Sequence, residues 1–259
     1  MTQPLASIHP DAKIAENVHI SPFVTIEGDV EIAEGCWIGP NVTIMDGARI
    51  GKNVKIYPGA VISAPPQDLK YKGEKTLAII GEGTTIRECA TVNRGTNDRF
   101  KTEVGKHCLL MAYSHVAHDC IVGNHVILAN LATLAGHITV HDWAILEGMV
   151  AVQQFITVAE HAFVGGGSLV RKDVPPFVKC AKEPLSFAGV NVIGLRRRGF
   201  TEHAIRQIED IYRIVYVRGY NMSKAVEMVE AEVDPSPERD RILEFIRTSN
   251  FGVIKGMIE

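Results

Sequence analysis

The sequence predicts an all-β solenoid, a parallel β-helix of hexapeptide repeats, followed by a C-terminal α-helical domain. Three observations support this prediction. An aliphatic residue recurs every six positions from Ile8 to Val170, two polar interruptions leave the register of that repeat intact, and helical spacing replaces the repeat after Val174. We expect the β-helix to span residues 1–190 and the helical domain to span residues 191–259.

The six-residue repeat has few exceptions. Of the 28 positions from 8 to 170 taken in steps of six, 25 hold Ile, Leu or Val. The three exceptions, Asp68, Glu74 and Asp98, lie in the polar interruptions, which we expect to form loops at about residues 63–79 and 94–103. A small or β-branched residue follows each aliphatic by four positions, except after Ile62, where the first polar interruption begins. Each hexad is therefore predicted to form a short strand with two inward side chains and a turn.

Repeats of this kind resemble the left-handed parallel β-helix, in which three hexads make one triangular coil. The left hand is implied by this resemblance, because the general rule for crossover connections favours the right hand. Neighbouring coils are expected to stack about 4.8 Å apart, the usual strand spacing. Residues 18 positions apart in the sequence should then become spatial neighbours.

The helical domain is predicted from spacing and capping signals. In TEHAIRQIEDIYRIVYVRG the apolar residues recur at helical intervals, and Gly219 marks a plausible stop. Further helices are predicted for SKAVEMVEAE and for SPERDRILEFIRTSN, where Ser236 is a good N-cap and Pro237 fits the first turn.

The composition indicates an ordinary soluble globular protein, with 259 residues, 46% hydrophobic residues and a formal net charge of −3. This balance excludes the broad basic surface that nucleic-acid binding requires. The sequence shows neither a signal peptide nor an apolar run near the roughly 18 residues of a membrane helix, so we expect a cytoplasmic protein without stable membrane insertion. The five cysteines include no C-x-x-C pair, which argues against disulfides and thiolate zinc sites.

The stretch SHVAHDCIVGNH, residues 114–125, contains the candidate site. His118 and Asp119 fall on a turn of their hexad, and a step of 18 residues leads from them to Gly136 and His137. We therefore expect an outward-facing patch that spans three coils. Its members are His115, His118, Asp119, Gly136, His137, Gln153 and Gln154.

Acid–base chemistry is one interpretation of this patch. Imidazoles in general titrate near neutral pH and can take a proton from a hydroxyl group, so His118 is a candidate general base. Gly136 has no side chain to shield its backbone N–H, which can donate to a developing oxyanion. Asp119 can orient an imidazole and stabilise its charged form.

Two other interpretations stay open at this point. Turn histidines of a solenoid commonly face solvent, and the column of His107, His125, Trp143 and His161 fits an exposed or intersubunit stack without chemistry. Imidazoles also bind zinc, as in trimeric hexapeptide-repeat proteins that resemble carbonic anhydrases and hold the metal between subunits.

Four blocks of sequence are specific enough to indicate a family: QDLKY, SHVAHDCIVGNHVILANLATLAGHITV, AVQQF and NVIGLRRRGF. In this order they resemble the UDP-N-acetylglucosamine 3-O-acyltransferase family of lipid A biosynthesis, over nearly the whole chain. The resemblance implies a homotrimer that transfers a (3R)-3-hydroxyacyl chain from acyl carrier protein to the 3-hydroxyl of UDP-N-acetylglucosamine, without cofactor or metal. It implies that His118 is the general base, that Gly136 supplies the oxyanion donor and that Asp119 stands beside the base.

The resemblance also implies contacts with the substrates. The residues matched to the sugar, phosphate and nucleotide site are Asp68, Lys70, His115, His137, Gln154, Asn191, Arg197 and Arg198. Gly166 matches the position that gauges acyl length, where a glycine leaves the groove open to a long chain. Candidates for docking the acidic carrier protein are Arg206, Arg213 and Arg218.

Three positions depart from the family pattern. Asn93 and Gln153 stand where histidine is common, and Ile193 stands where glutamate is common. The alternatives are a coenzyme A-dependent acetyltransferase, a zinc-dependent carbonic-anhydrase-like protein and a catalytically silent trimeric scaffold. Within the leading interpretation, a 3-amino sugar nucleotide is an alternative acceptor.

Overall fold

The structure is a computed structural model that describes residues 5–256. Within this part, 27 short strands form three sheets, here called A, B and C, and successive strands up to β25 pass from A to B to C. Sheet A contains β1 (Ser7–Ile8), β4 (Thr25–Ile26), β7 (Thr43–Ile44), β10 (Val61–Ala64), β13 (Thr91–Asn93), β16 (His115–Val116), β19 (Thr133–Leu134), β22 (Ala151–Val152) and β25 (Leu169–Val170). Sheet B contains β2 (Lys13–Ile14), β5 (Glu31–Ile32), β8 (Ala48–Ile50), β11 (Leu77–Ile80), β14 (Lys101–Val104), β17 (Ile121–Val122), β20 (Thr139–Val140) and β23 (Thr157–Val158). Sheet C contains β3 (His19–Ile20), β6 (Trp37–Ile38), β9 (Lys55–Ile56), β12 (Thr85–Ile86), β15 (Leu109–Leu110), β18 (Ile127–Leu128), β21 (Ile145–Leu146), β24 (Phe163–Val164), β26 (Val178–Ala181) and β27 (Ser186–Val190).

Three strands make one coil of the solenoid. His115 pairs in parallel with Thr133, and Thr133 pairs with Ala151, so the step between coils is 18 residues, as predicted. Val61 pairs with Thr91, thirty positions on, and Thr91 pairs with His115, twenty-four positions on. The loops add multiples of six residues, which is why the hexad register survives them. The architecture is a left-handed parallel β-helix followed by α-helices, and it confirms the predicted fold class.

Aliphatic side chains fill the prism. In each hexad the second strand residue and the residue four positions later point inward; Ile86 and Ala90, for example, are both 0% exposed. Truncating a buried isoleucine to alanine in such a core costs about 2–5 kcal/mol. The ladder of inward aliphatics is therefore a main source of stability.

The turns between strands use left-handed backbone conformation. Asp119, His137 and Phe155, at the same position of three successive coils, have φ of 58°, 64° and 69°. This region is unfavourable for residues with a Cβ. It persists because each turn is hydrogen-bonded to the coil before it: His137 N donates to the His118 carbonyl at 3.0 Å. Stacked coils thus hold these side chains on rigid turns.

The last strands close the prism. Phe163 of β24 lies opposite Lys179 of β26, a step of sixteen residues, and β27 then turns back antiparallel along β26. The hexad repeat did not predict this hairpin. Four helices follow: α1 (Val192–Arg197), α2 (Glu202–Tyr216), α3 (Met222–Glu232) and α4 (Pro237–Thr248).

Helices α2, α3 and α4 agree with the helices predicted from the sequence. α2 ends before Gly219, whose φ is 73°, and Ser236 caps α4 by accepting a hydrogen bond from Arg239 N at 3.1 Å. The apolar face of α2 packs on the end of the prism, where the fully buried Tyr212 donates to the Pro176 carbonyl. α1 was not predicted, because six residues are too few to show an amphipathic period.

The two loops are shorter than predicted. The first loop is residues 65–76, between β10 and β11, and the second loop is residues 94–100, between β13 and β14. The difference arises because β10 extends to Ala64, and because β11 and β14 pair with each other over four residues, Leu77–Ile80 with Lys101–Val104. The division of the chain at residue 190 stays a prediction. Among residues 5–256, no helix combines the length and apolarity that a bilayer crossing requires.

Candidate active site

The turns that lead from sheet A to sheet B lie along one edge of the prism, here called the A–B edge. Both loops emerge there, the first after β10 and the second after β13. The turn with His118 and Asp119 follows β16 at the next coil, and His137 follows β19 one coil further. The parallel register therefore places both loops beside the histidines.

His118 and Asp119 form a buried pair. His118 Nδ1 lies 2.8 Å from Asp119 Oδ2, and the two residues are 5% and 0% exposed. Both side chains lie outside the aliphatic core, as an outward direction predicts, but they are not exposed to solvent, because the second loop covers this turn. A carboxylate only accepts hydrogen bonds, so Nδ1 carries the proton and Nε2 keeps its lone pair for a substrate.

The second loop supplies donors to the Asp119 carboxylate. Thr96 donates through Oγ1 to Oδ2 at 2.7 Å and through its backbone N to Oδ1 at 3.0 Å, and Arg99 N donates to Oδ1 at 3.1 Å. Asp119 N in turn donates to Thr102 Oγ1 at 2.9 Å. Burial acts to raise the pKa of Asp119, but the hydrogen bonds from His118 and the loop outweigh it and hold the pKa below its ordinary value. Asp119 is therefore ionised at neutral pH.

Gly136 lies against the imidazole of His118. A Cβ at this position would stand 2.5 Å from Cε1 and 2.7 Å from Nε2 of His118, so a side chain would displace the ring. Within residues 5–256, no protein group accepts a hydrogen bond from the Gly136 N–H. The base nitrogen and a free backbone donor thus border the same space, as attack on a carbonyl group requires.

His137 extends the site along the edge. Its ring meets the His118 ring edge-on, with centroids 5.1 Å apart, and stacks on the Phe155 ring at 4.7 Å. Its Nδ1 lies 3.0 Å from Asp98 Oδ2, although the two atoms are not aligned as a hydrogen bond. The structure therefore brings His137 to the His118–Asp119 pair, as predicted.

A cavity of about 260 Å³ opens beside His137. Its walls come from both loops and from two coils of the prism: Asp68, Lys70, Tyr71, Thr96, Asn97, Asp98, His137 and Phe155. The structure thus places Asp68 and Lys70 at His137 within one chain. A larger, open concavity of about 880 Å³ on the outer face of sheet B contains no histidine, and we do not assign the reaction to it.

His115 lies on β16, just before the buried pair. Its Nδ1 is 2.7 Å from Thr91 Oγ1. Burial lowers the pKa of His115, and the nearby His118 lowers it further. His115 is therefore a neutral hydrogen-bonding group at pH 7. Gln154, one coil beyond Gly136, has an exposed side chain on the same edge.

Gly166 lies on a different edge, between sheets C and A. Its N–H donates to Glu147 Oε2 at 3.0 Å, and a Cβ at this position would stand 3.2 Å from the Gly148 carbonyl oxygen. The left-handed residue of this turn is Gly167, whose φ is 71°. Backbone conformation therefore does not by itself require a glycine at position 166.

The predicted nucleotide contacts lie near the third edge, between sheets B and C. Asn191 caps α1, accepting a hydrogen bond at 3.3 Å, and donates from Nδ2 to the His161 carbonyl at 2.9 Å. Arg198 lies over the Trp143 ring, 5.2 Å from its centroid, while Arg197 is exposed. In one chain the predicted site residues are therefore divided among three edges of the prism.

The predicted aromatic column is present on the B–C edge. His125 and Trp143 stack with centroids 4.0 Å apart, and His107 stacks on His125 at 5.3 Å. Burial lowers the pKa of His161 to about 4, and the charge of Arg198 contributes to the same shift. These contacts indicate a packing role for the column.

A metal centre was the other interpretation of the histidines. His118, Asp119 and His137 offer three ligand atoms that lie within 4.8 Å of one another. The carboxylate, however, is already held by Thr96, Arg99 and the Nδ1 of His118. This donor set favours an acid–base pair over a metal site.

The three departures from the family pattern differ in their surroundings. Asn93 is 2% exposed, and its Oδ1 has no hydrogen-bond partner among the described residues. Gln153 and Ile193 are both exposed, Ile193 to 64%. Of the three, only Asn93 is part of the packed structure beneath the loops.

The basic residues proposed for carrier docking are partly neutralised within the chain. Arg213 Nη1 lies 2.7 Å from Asp210, and Arg218 Nη1 lies 2.5 Å from Glu232. Arg206, Arg213 and Arg218 line one cleft between α2 and α3. Docking of a carrier protein at these residues stays a prediction.

Sequence reasoning missed the residues of the second loop that complete the site. Thr96 and Arg99 hold Asp119, and Asp98 approaches His137. The hexad repeat could have indicated that these residues lie near the site. The loop follows a strand of sheet A one coil before His118, so it must lie on the same edge. The contacts themselves depend on how the loop folds back.

The repeats and the helical end both match known protein families. Residues 29–64 and 101–136 match the family described as bacterial transferase hexapeptide, six repeats. Residues 173–254 match domain 2 of UDP-N-acetylglucosamine O-acyltransferase. The fold and the matched repeats place the protein in the class of hexapeptide-repeat transferases.

Full-length relatives define the family more closely. An acyl-[acyl-carrier-protein]–UDP-N-acetylglucosamine O-acyltransferase of Chlorobaculum parvum is 51% identical over 255 residues, covering 96% of this chain and 97% of the relative. One from Trichlorobacter lovleyi is 48% identical over 255 residues, covering 97% and 98%. The crystal structure of a UDP-N-acetylglucosamine acyltransferase from Bacteroides fragilis has a TM-score of 0.97 at 47% identity, covering 98% of this chain and 100% of that one. This chain belongs to the acyl-[acyl-carrier-protein]–UDP-N-acetylglucosamine O-acyltransferase family, as the sequence predicts.

Proposed function

We propose that the protein transfers a (3R)-3-hydroxyacyl chain from acyl carrier protein to the 3-hydroxyl of UDP-N-acetylglucosamine, the first step of lipid A biosynthesis. The main support is the buried His118–Asp119 pair, with Gly136 against the imidazole. The relatives add support for the donor and the acceptor, because they are named for acyl carrier protein and UDP-N-acetylglucosamine.

His118 acts as the general base in this proposal. Its Nε2 takes the proton of the sugar 3-hydroxyl while the hydroxyl oxygen bonds to the thioester carbonyl carbon. The Gly136 N–H donates to the oxyanion of the tetrahedral intermediate. When the intermediate collapses, the C–S bond breaks and the imidazolium returns its proton to the leaving thiolate. Asp119 holds the ring and stabilises its charged form.

The sugar nucleotide occupies the A–B edge in this proposal. Asp68 and Lys70 contact it from the first loop, where they line the same cavity as His137. Neutral His115 and exposed Gln154 complete the contacts along the edge. These polar groups surround a small space beside the base, which suits recognition of a hydroxyl-rich ring.

We propose that a homotrimer completes the site. Asn191, Arg197 and Arg198 are assigned to the nucleotide and Gly166 to the acyl chain, yet all four lie away from the A–B edge of their own chain. A neighbouring copy can bring its own residues to that edge, and it also excludes water from the reaction. The wide separation of these residues in one chain supports this arrangement.

The test is a thioester-release assay with acyl carrier protein loaded with 3-hydroxyacyl chains of several lengths, with and without UDP-N-acetylglucosamine. We expect release that depends on the sugar nucleotide and is greatest for long chains, as Gly166 predicts. His118→Ala should lower the rate by about 10²–10⁴-fold, the usual contribution of a general base.

The matched control is His107→Gln, which changes an exposed histidine of the B–C edge and should leave the rate unchanged. Full activity of His118→Ala would rule out the assigned base. Absence of release with every chain length would overturn the proposed reaction.

A further inference from the structure

The second loop makes closer contact with the reacting centre than its position in the sequence indicates. Thr96 is 6% exposed although it lies in a polar interruption. Both its hydroxyl and its backbone N–H donate to the carboxylate of Asp119, at 2.7 Å and 3.0 Å. Asp119 in turn accepts from His118 Nδ1 at 2.8 Å. A continuous chain of hydrogen bonds thus runs from the loop to the base.

We propose that Thr96 is a positioning residue for the transfer reaction, which it influences by holding the Asp119 carboxylate that orients His118. This inference rests on the proposed function and deepens it. Thr96 also lines the cavity beside His137, but its hydroxyl donates to Asp119 Oδ2 and therefore acts on the reaction through Asp119.

The electrostatic consequence has a definite sign. Each hydrogen-bond donor to a carboxylate withdraws part of the carboxylate's negative charge. The carboxylate then attracts its other partners less strongly. Without the Thr96 hydroxyl, Asp119 concentrates more charge on His118 and favours the protonated imidazole. The base is then free only at higher pH, so activity should fall off earlier as the pH is lowered.

The surroundings of the His118 ring determine what else influences this titration. The charged and titratable groups that face it or its partner are Asp119 on the same turn, His115 on β16, His137 on the next coil, and Asp98 and Arg99 on the second loop. Substitution of Thr96 removes none of the five and changes no formal charge, but it also removes the acceptor of Asp98 N, which lies 3.2 Å from Thr96 Oγ1. A shift in the titration therefore reports the loss of the Thr96 hydroxyl.

The experiment measures the pH dependence of kcat/KM for wild type and Thr96→Val, with hydroxyacyl carrier protein and UDP-N-acetylglucosamine. Valine keeps the shape of threonine but cannot donate. We expect the acid limb of the profile, where kcat/KM falls as the pH is lowered, to move to higher pH by about half a pH unit or more. The rate at pH 7 should fall several-fold, because a hydrogen bond to a charged group is lost. Thr96→Ser should restore the wild-type profile.

Thr102→Val is the matched control. Thr102 is also a buried threonine bonded to Asp119, but it accepts from the backbone N rather than donating to the carboxylate. Its removal should leave the acid limb in place even where it lowers stability. An unshifted limb in Thr96→Val, or an equal shift in Thr102→Val, would overturn the inference.

A second measurement separates this inference from the proposed function. The imidazole signals of the substrate-free protein, assigned with His118→Ala, report the His118 titration by NMR without any activity. We expect the His118 midpoint to move to higher pH in Thr96→Val and to return in Thr96→Ser. An inactive wild type would overturn the proposed reaction alone, whereas an unmoved midpoint would overturn the role of Thr96.

Discussion

At the scale of single residues, the site consists of a buried hydrogen-bonded pair, His118 and Asp119, and a glycine, Gly136, that lies against the imidazole. His118 and Asp119 are hydrogen-bonded at 2.8 Å beneath the second loop. Gly136 leaves room for the imidazole, because a Cβ there would stand 2.5 Å from His118 Cε1. The glycine is needed for this close approach, and its φ lies outside the left-handed region. Sequence spacing predicts the neighbours, whereas the contact distance explains why one of them is glycine.

Gly136→Ala should therefore reduce activity strongly while the prism stays folded. The added methyl group has to displace the His118 ring from its place beside the Gly136 N–H. We expect a fall in kcat of about 10²-fold or more, the size of effect seen when a catalytic group is misplaced by about 1 Å. Steady-state kinetics measures it, and circular dichroism verifies the fold.

Gly28→Ala is the matched control for this substitution. Gly28 lies on the same edge near the start of the chain, and a Cβ there would stand 2.9 Å from the ring of His9. The side chain of His9 is 51% exposed, so it can swing away into solvent. Gly28→Ala should keep wild-type activity, and an equal loss in both variants would contradict a specific role for Gly136.

At the scale of elements, each edge of the prism has its own composition. The A–B edge carries both loops and the His118–Asp119 pair, and the B–C edge carries the aromatic stack. Within that stack His161 packs against Phe200 with ring centroids 5.1 Å apart, and Arg198 Nη1 lies 3.3 Å from its Nδ1. This packing keeps His161 uncharged, which makes stability depend on pH.

The stability of the folded protein should fall as the pH drops from about 6.5 to about 4. His161 has a folded pKa of about 4 against an ordinary value of 6.5, mainly through burial, so the unfolded chain binds the proton first. As the pH falls, the state that binds more protons becomes more stable relative to the other, and here that state is the unfolded one. His161→Phe should reduce the loss of unfolding free energy over this pH range by about 1–2 kcal/mol. This is less than a fully buried group would give, because solvent screens the ring.

Urea unfolding between pH 4 and pH 8, at one protein concentration, measures the effect. His203→Gln, at an exposed position of α2, is the control and should keep the wild-type slope. A residual slope is expected in His161→Phe, because burial also lowers the pKa values of His115 and His141. An unchanged slope in His161→Phe would contradict the role given to the stack.

At the scale of the whole molecule, the prism separates the groups to which the proposed reaction is assigned. His118 lies on the A–B edge, Arg197 lies near the B–C edge and Gly166 lies on the C–A edge. Packed interiors do not deform enough to bring these edges together. Association of several copies is the arrangement that joins them in the proposed function, and it is the reason that we propose a trimer.

Mixed trimers should recover activity from two inactive chains. We expect His118→Ala and Arg197→Ala each to be impaired, because one lacks the base and the other lacks a nucleotide contact. After unfolding and joint refolding in equal amounts, about a quarter of the interfaces should pair an intact His118 from one chain with an intact Arg197 from its neighbour. The assay is thioester release from the mixture compared with each variant refolded alone.

His118→Ala mixed with Asp119→Asn is the negative control. Both residues belong to one turn of one chain, so no mixture of these two variants can restore an intact pair. Recovery in the first mixture and its absence in the second would support a shared site. No recovery in the first mixture would contradict the proposed division of the site between chains.

Most of the fold could be predicted because its physics is local and periodic. The Ile, Leu and Val residues at every sixth position gave the strands, the 18-residue step and the register across the two loops, as the pairing of Val61 with Thr91 confirms. The antiparallel hairpin of β26 and β27 and the short helix α1 were missed. Neither repeats a pattern, and each depends on contacts at the end of the prism.

The sequence by itself determined the β-helix and the alignment of His118 with Gly136, because a fixed period converts sequence separation directly into distance. It also indicated the helical end through helical spacing, and the family through the resemblance of four sequence blocks. Only the tertiary structure decided that His118 and Asp119 are buried, that Thr96 and Arg99 hold the carboxylate, and that Asp68 and Lys70 border the same cavity as His137. The physical reason is that the loops have no period. Their contacts depend on how each loop folds back onto the edge from which it emerges.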